Sequence, residues 1–500
     1  MSDTVPDLGL GIAATEFDRR PMLVGRVGED QVLVVKRGDE YFAVAAQCTH
    51  YHGPLVDGLL VDGHVRCPWH HACFDLKTGR VQRGPALDPL DRWQVDQQDG
   101  RIFVRHKLPP VRTSRRSADT QPESVVIVGA GSAGIAAALE LRRAGYQRPL
   151  TLVSGEADPP YDRPNLSKDY LAGNAPAEWM PLRSNEFYRD NEIELALGSA
   201  VRKLDVEQTK LTLEGGRELS FGRLLLATGA QPVRLQIAGA EADRVFYLRS
   251  WADCRALLAR AASAQRAVVV GASFIALEVA ASLRTRGLDV YVVARDSTLM
   301  RRVLGERVGN FLRTVHESRG TVFHLGQTIA SVAGSTVTLS DGTTLDADLV
   351  VVGAGVRPLD DLARAAGIAT NNGVTVDDYL MTSANGIYAA GDIASWPDKH
   401  SGERLRVEHW VVAQRQGATA ARNMLGAREK FTAVPFFWTQ QFDLTINYVG
   451  HAAGADLARI DGDLEQRDCA IRYERGGRLA AVATISRDLE SLKAELELES

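Results

Sequence analysis

The 500-residue chain holds five cysteines, too few and too scattered for a disulfide-stapled fold. Long apolar runs are missing as well, and none approaches the ~20 residues that cross a bilayer as a helix. The opening stretch MSDTVPDLGLGIAATEFDRR lacks a basic region followed by an apolar core, so no secretory signal is expected and the cytoplasm is the expected compartment. Basic residues are not in excess: 58 Lys and Arg stand against 63 Asp and Glu, a net charge of −5, which argues against a general nucleic-acid binder. The length accommodates roughly three or four domains.

Residues 125–145, VVIVGAGSAGIAAALELRRAG, are the most informative stretch. A buried apolar strand runs into Gly129, Gly131 and Gly134 at GxGxxG spacing and then into an Ala/Leu-rich helix. The glycines serve a tight turn, close approach of backbone to a pyrophosphate and close packing of helix on strand, while the helix N-terminus presents free N–H groups to phosphate. The next strand leads to Glu156, placed to bind ribose hydroxyls. A second such unit, VVVGASFIALEVAASLRTRG, spans residues 268–287, with Gly271, Ser273 and Ala276 at the glycine positions. Two units in one chain are most economically explained by FAD in one and a nicotinamide cofactor in the other; the bland alternative is a duplicated unit with one dead site.

The first 106 residues read as β, with apolar runs between Gly/Asp turns. They contain Cys48-Thr49-His50 and Cys67-Pro68-Trp69-His70. This C-x-H…C-x-x-H set suits either zinc or a [2Fe–2S] cluster with two Cys on one iron and two His on the other. By ligand type alone the two remain open.

The run CTHYHGPL…CPWHHACFDLKTG…PLDRW resembles the Rieske ferredoxin family over the first hundred residues. The resemblance implies Cys48, His50, Cys67 and His70 as ligands to a [2Fe–2S] cluster, and leaves His52, His64 and His71 as loop or surface residues. Gly53 and Trp69 stand where high-potential members carry an extra cysteine pair, which places this cluster with the low-potential branch. From Ser124 onward the chain resembles the flavin-dependent ferredoxin reductases of aromatic-ring dioxygenase systems. With the N-terminal domain it is most similar to the Rieske-bearing branch of the apoptosis-inducing-factor-like oxidoreductases.

That resemblance implies several roles. In PPYDRPNLSKDYL, Arg163 and Lys168 approach the anionic flavin cofactor, with Lys168 beside the ring and paired to Glu278 of the second nucleotide helix. LLLATGA supplies Thr228 and Gly229, LDADLVVVGAGVRPL supplies Gly353, and NGIYAAGDIA supplies Gly391 and Asp392, the aspartate bonding the ribityl chain. Glu408, His409 and Trp410 come at the flavin–nicotinamide junction, with Trp438 from the C-terminal segment. Lys168, Glu278 and Trp410 are the residues expected at the reacting centre. Gln440 replaces the acid usual in the FWSDQ motif, so no acid role is carried to it.

Two absences narrow the function. No cysteine pair follows the first nucleotide unit, so the dithiol of disulfide reductases is missing. No two-His-one-carboxylate set suits a mononuclear iron, so an oxygenase subunit is not expected. The nicotinamide preference departs from NADH: the strand DVYVVARDSTLMRR places Ala294 where an acid would hold the ribose hydroxyls, with Arg295 next and Arg301 six residues later. A guanidinium pair suits a 2′-phosphate, with Asp296 as the competing ribose ligand.

The expectation is a multidomain chain: an all-β Rieske domain (1–106), a linker (107–123), α/β FAD-binding (124–240 and 355–428) and NAD(P)H-binding (241–354) domains in a glutathione-reductase-type two-dinucleotide fold, and an α+β C-terminal reductase domain (429–500). Its expected cofactors are FAD, a [2Fe–2S] cluster and NADPH or NADH. Electrons would pass from nicotinamide through FAD to the cluster and on to an oxygenase, ferredoxin or cytochrome type of acceptor, in a monomer or homodimer. The rivals are a redox-responsive binding protein with slow turnover and a plain flavin reductase with a zinc-bearing N-terminal domain.

Overall fold

The computed structural model describes residues 5–111 and 121–500. Residues 112–120, most of the expected linker, lie outside the described residues, and Lys107 closes the strand Arg101–Lys107. By contacts the chain divides into two compact units. Of the described residues, one takes in 5–111, Arg143–Gly145 and Arg487–Ser500; the other takes in 121–142 and Tyr146–Ser486. Arg487–Ser500 therefore groups with the N-terminal unit, although it follows the C-terminal sheet in sequence.

The first unit is β apart from its 3-10 turns and the final helix, Asp488–Glu499. A six-stranded antiparallel sheet runs in the order Ile12–Ala13, Arg101–Lys107, Arg92–Gln98, Glu40–Ala45, Asp30–Arg37, Met22–Val27. Asp30–Arg37 explains how this sheet carries the cluster loops. Val32, Leu33, Val34 and Val35 are all fully buried, because both faces of the strand are covered. Val32 and Val34 face Leu8, Phe17, Trp93 and Ile102. Leu33 and Val35 face the opposite way, into the group that holds Cys48, Leu55, Cys67 and Phe74. The second group also takes in residues of a four-stranded sheet, Leu59–Val61, His64–Arg66, Cys73–Asp75 and Val81–Arg83. Both cysteine-bearing loops thus stand on one face of a packed core.

The second unit contains two parallel five-stranded sheets. In the first the order is Ile193–Ala196, Leu150–Val153, Val125–Val128, Arg223–Leu226, Ile387–Ala389. In the second it is Val245–Phe246, Leu349–Val352, Arg266–Val270, Asp289–Ala294, Val322–Leu325. Strands covered on both faces read as continuous apolar runs, as all four residues of Val125–Val128 do. Each sheet has its own three-stranded antiparallel companion, beginning at Val201–Asp205 and at Ile329–Ala333. A five-stranded antiparallel sheet follows, in the order Phe436–Gln441, Leu444–Gly450, Arg478–Ile485, Asp468–Arg475, Leu457–Asp463. Among the described residues no helix is long and apolar enough to cross a membrane.

The helix Ser132–Arg143 lies so close to its preceding strand that a methyl group on Gly134 would collide with the Gly129 carbonyl oxygen. Gly134→Ala is therefore expected to lower stability by about 1–3 kcal/mol through overpacking. The loss should persist in protein stripped of its flavin, as read by denaturant titration of the apoprotein beside wild type.

Candidate functional site

In the first unit the loops 48–52 and 67–71 have matching closures. The His52 amide donates to the Cys48 carbonyl at 3.0 Å, and the His71 amide to the Cys67 carbonyl at 3.2 Å. The closures bring His50 Nδ1 to 3.2 Å from His70 Nδ1 and place the Cys48 and Cys67 thiols in hydrogen-bonding contact. A Cβ on Gly53 would come within 2.9 Å of Cys67 Sγ, so the glycine lets the two loops close this tightly. The shared hydrogen bond raises the Cys48 thiol and lowers that of Cys67. Burial pushes His50 down to about 3, leaving the neutral imidazole a metal requires. Among the described residues no three His, Cys, Asp or Glu side chains converge as a single-ion site demands. The four candidate ligands fall instead into a sulfur pair and a nitrogen pair, which fits one pair on each iron of a two-iron cluster.

In the second unit the two nucleotide turns differ instructively. Gly129 (φ 114°) and Gly134 are demanded by the fold, because a Cβ on either would strike backbone; a Cβ on Gly131 would meet nothing within 4 Å. Gly131 therefore borders open space of the kind a pyrophosphate fills. In the other turn Gly271 (φ 106°) is required for the same reason as Gly129. Ser273 does more than crowd the site: its hydroxyl accepts from the Ala276 amide at 3.2 Å, capping the helix Phe274–Thr285, and donates to the Gly353 carbonyl at 3.0 Å. Ala276 takes the third glycine position because Gly353 opposite it has no side chain; a Cβ there would come within 2.7 Å of the Ala276 methyl.

Around the first turn, Glu156 accepts from Arg163 Nη2 at 2.8 Å and Tyr161 Oη at 2.6 Å. Asp392 pairs with Arg249 at 2.9 Å, and the amide of its neighbour Gly391 donates to Gln416 Oε1 at 2.8 Å. Thr228 Oγ1 donates to the Leu359 carbonyl, so it ties the first exit strand to the returning one. Glu408 pairs with Arg406 and keeps 37% of its side chain exposed; crowding by protein nonetheless raises its carboxyl above the ordinary value, with Arg406 opposing. His409 packs on Phe437 at 4.6 Å, and burial lowers its imidazole to about 3. Among the described residues His409 Nδ1 and Gln416 Nε2 are buried without a partner. The open space at Gly131 and these two polar atoms fit a bound flavin dinucleotide. Trp410 begins the helix Trp410–Met424, and its carbonyl accepts from Ser132 Oγ at 2.8 Å.

Lys168 Nζ lies 2.8 Å from Glu278 Oε2, with 9% and 2% of the side chains exposed. Its ammonium also sits 5.8 Å from the centre of the Trp438 ring. Two partners of Glu278 were not anticipated from sequence: Ser167 Oγ donates to Oε2 at 2.6 Å, and Thr439 Oγ1 to Oε1 at 2.7 Å. Arg249 was likewise missed. Thr439 had a partial signal, as a small polar residue directly after the aromatic run of the strand Phe436–Gln441. Ser167 and Arg249 had none, because their partners lie more than a hundred residues away. Arg295 and Arg301 are both exposed, and neither forms an ion pair with a described carboxylate; Ala294 is buried.

Residues 123–417 match the pyridine nucleotide-disulphide oxidoreductase family, residues 11–94 the Rieske [2Fe-2S] domain and residues 436–496 the reductase C-terminal domain. Apoptosis-inducing factor 3 of Homo sapiens is 34% identical over 481 residues, covering 92% of this chain and 79% of its own. The 5,5'-dehydrodivanillate O-demethylase ferredoxin reductase subunit of Sphingobium is 35% identical over 369 residues, 72% of this chain and 90% of its own. Among solved structures, the covalent putidaredoxin reductase–putidaredoxin complex aligns with TM-score 0.73 at 31% identity, over 76% of this chain and 93% of that one. An engineered water-forming NADPH oxidase bound to NADPH shares the fold, with TM-score 0.69 at 22% identity over 75% of this chain and 90% of its own. The Rieske match decides between the metals left open by ligand type, in favour of iron and sulfur.

Removing one partner of a buried ion pair strands the other. Lys168→Ala is expected to cost about 3 kcal/mol on that ground, and Thr439→Val about 1 kcal/mol for a lost hydrogen bond to a carboxylate that keeps its other donors. Denaturant unfolding followed by flavin release checks both, and equal effects would contradict the ranking.

With this set of domains in this order, the chain belongs to the FAD-dependent pyridine nucleotide oxidoreductases, as a ferredoxin-reductase-like member that carries its own Rieske [2Fe–2S] domain.

Proposed function

We propose that the protein is an NADPH oxidoreductase that delivers electrons to its own Rieske cluster and from there to a separate one-electron protein acceptor of oxygenase, ferredoxin or cytochrome type. The carrying observation is that a paired Cys/His cluster site and two dinucleotide folds occur in one chain that lacks the dithiol of disulfide reductases. Bound FAD supplies the conversion between a two-electron hydride and single electrons. The chain's own residues bind and orient. Gly131 leaves room for the pyrophosphate, and Glu156 and Asp392 offer carboxylates to the ribose and ribityl hydroxyls. Lys168, its position fixed by Glu278, would supply positive charge to the bound flavin, and Trp410 and Trp438 are the aromatic residues that would border the nicotinamide. No side-chain acid or base is required for the hydride step itself. Cys48, His50, Cys67 and His70 hold the cluster.

Putidaredoxin reductase has been captured in a covalent complex with putidaredoxin, which supports a protein acceptor here. For the nicotinamide, Ala294 removes the acid that would repel a 2′-phosphate, and Arg295 and Arg301 are exposed with no ion pair to a described carboxylate. The spacing offers further support. The substitutions engineered into the NADPH-bound oxidase place an alanine, a second alanine eighteen positions on followed at once by arginine, and another arginine six positions after that. Ala276, Ala294, Arg295 and Arg301 have the same spacing.

Two measurements test this reading. His70→Ala should abolish the Rieske EPR signal of the reduced protein while FAD content stays at the wild-type ratio; a normal signal would remove His70 from the ligand set. In the wild type kcat/KM should favour NADPH, and Arg295→Ala with Arg301→Ala should reverse that preference by about tenfold or more, the worth of one or two charge-assisted hydrogen bonds. An NADH preference that the double substitution leaves alone would refute the phosphate site. Slow reduction of every one-electron acceptor tried would favour a redox-responsive binding protein instead.

A further inference from the structure

The helix Asp488–Glu499 belongs to the N-terminal unit, and its buried face is not purely apolar. Ser491, Leu492, Ala494 and Glu495 are buried, with Ser491 and Glu495 completely so. Ser491, Glu495 and Glu499 follow at spacings of four and so share one face of the helix. A fully buried carboxylate is strongly disfavoured unless it is paired. The partners of Glu495 come from the second cluster loop: its Oε2 lies 3.3 Å from Arg66 Nη1 and 3.1 Å from His71 Nδ1.

Those two residues flank the stretch Cys67–His70, Arg66 immediately before it and His71 immediately after. One carboxylate oxygen thus grips both ends of a ligand loop from 424 residues away along the chain. Glu499 reinforces the first end with bonds to Arg66 at 2.7 and 3.3 Å and a further one to Arg83. Ser491 Oγ reinforces the second end, 3.1 Å from His71 Nε2, so both ring nitrogens of His71 are held by the same helix.

His71 also pays for its place with backbone strain. Its φ is 61°, a left-handed conformation that is costly for a residue with a side chain and that His52 shares, at 60°, in the first loop. A glycine would turn the loop without that strain and without reaching the helix. Of the two sequence readings of His71, loop or surface residue, the loop holds and the surface does not: it is fully buried and connects its loop to the helix Asp488–Glu499.

We infer that the C-terminal helix is a working part of the iron–sulfur centre. Glu495 is a positioning residue: it fixes both flanks of the second ligand loop, and its carboxylate, with that of Glu499, offsets the positive charge of Arg66 and Arg83 beside the loop, which keeps the cluster's reduction potential below the value those cations alone would set. The cluster site is then complete only when the last residues of the chain are in place. This inference rests on Cys67 and His70 being ligands.

The test uses full-length protein carrying FAD and cluster, in wild type and in Glu495→Gln, Glu495→Asp, Glu495→Ala and Ser491→Ala, with the exposed Lys493→Gln as control. The readouts are iron and sulfide per FAD, the EPR g-values of the reduced cluster, its midpoint potential, and the rate of iron loss to a chelator. Glu495→Ala should lose iron about ten- to a hundredfold faster, the usual cost of removing an outer partner of a metal ligand set. Glu495→Gln, which preserves shape and removes charge, should retain its cluster with a raised potential and shifted g-values. Glu495→Asp should restore the potential more fully than the retention, since it returns the charge without the reach. Ser491→Ala should speed iron loss with little change in potential, and Lys493→Gln should match wild type in every readout. Wild-type potential, g-values and iron-loss rate in both Glu495→Gln and Glu495→Ala would overturn the inference. If Glu495→Ala fails to fold, Glu495→Gln alone decides it. A wild type without a Rieske signal would instead refute the ligand assignment.

Discussion

Glu278 occupies an otherwise apolar helix with 2% of its side chain exposed, and a carboxylate in that position is tolerated only if donors reach it. Three do. Ser167 and Lys168 come from the loop after the first nucleotide unit, and Thr439 comes from the first strand of the C-terminal sheet. The helix itself belongs to the second nucleotide unit. One buried charge therefore ties together three segments that sequence separates by more than a hundred residues at each step. Burial of the network also strengthens it, because water does not compete for these bonds.

The N-terminal unit follows the same principle with different residues. Its two Cys/His loops stand on a packed apolar face that includes Leu33 and Val35, which fixes where the loops begin and end. Packing alone does not determine how the second loop is held, since dispersion and hydrophobic burial have no directional preference. Direction comes from the bonds of Arg66 and His71 to the helix Asp488–Glu499.

The nucleotide turns show how one motif divides its labour. Gly129 and Gly134 answer to the protein's own backbone, whereas Gly131 borders space that the protein leaves open. In the second turn the small residue has moved: Ala276 replaces a glycine, and Gly353 opposite it absorbs the added methyl group. Ser273, where a glycine would be usual, becomes a helix cap. A departure from GxGxxG is thus met within the unit by a change in its packing partner and by a new hydrogen bond.

Sequence alone determined much of this protein. The strand–glycine–helix pattern at 125–145, the apolar strands of both parallel sheets and the C-x-H…C-x-x-H set were legible because each is a local property, carried by residues within a few positions of one another. The pairing of Lys168 with Glu278 came from resemblance to a family, and a lone acid on an apolar helix supported it. Tertiary structure alone decided the rest: Ser167 and Thr439 on Glu278, Arg249 on Asp392, and the return of Arg487–Ser500 to the N-terminal unit. His71 is the plainest case. As one more histidine beside a candidate ligand it carries no sequence signal of its own, and nothing local in Asp488–Glu499 marks Glu495 as buried. A buried charge is recognised by its partner, and the partner of Glu495 becomes its neighbour only after the chain has folded.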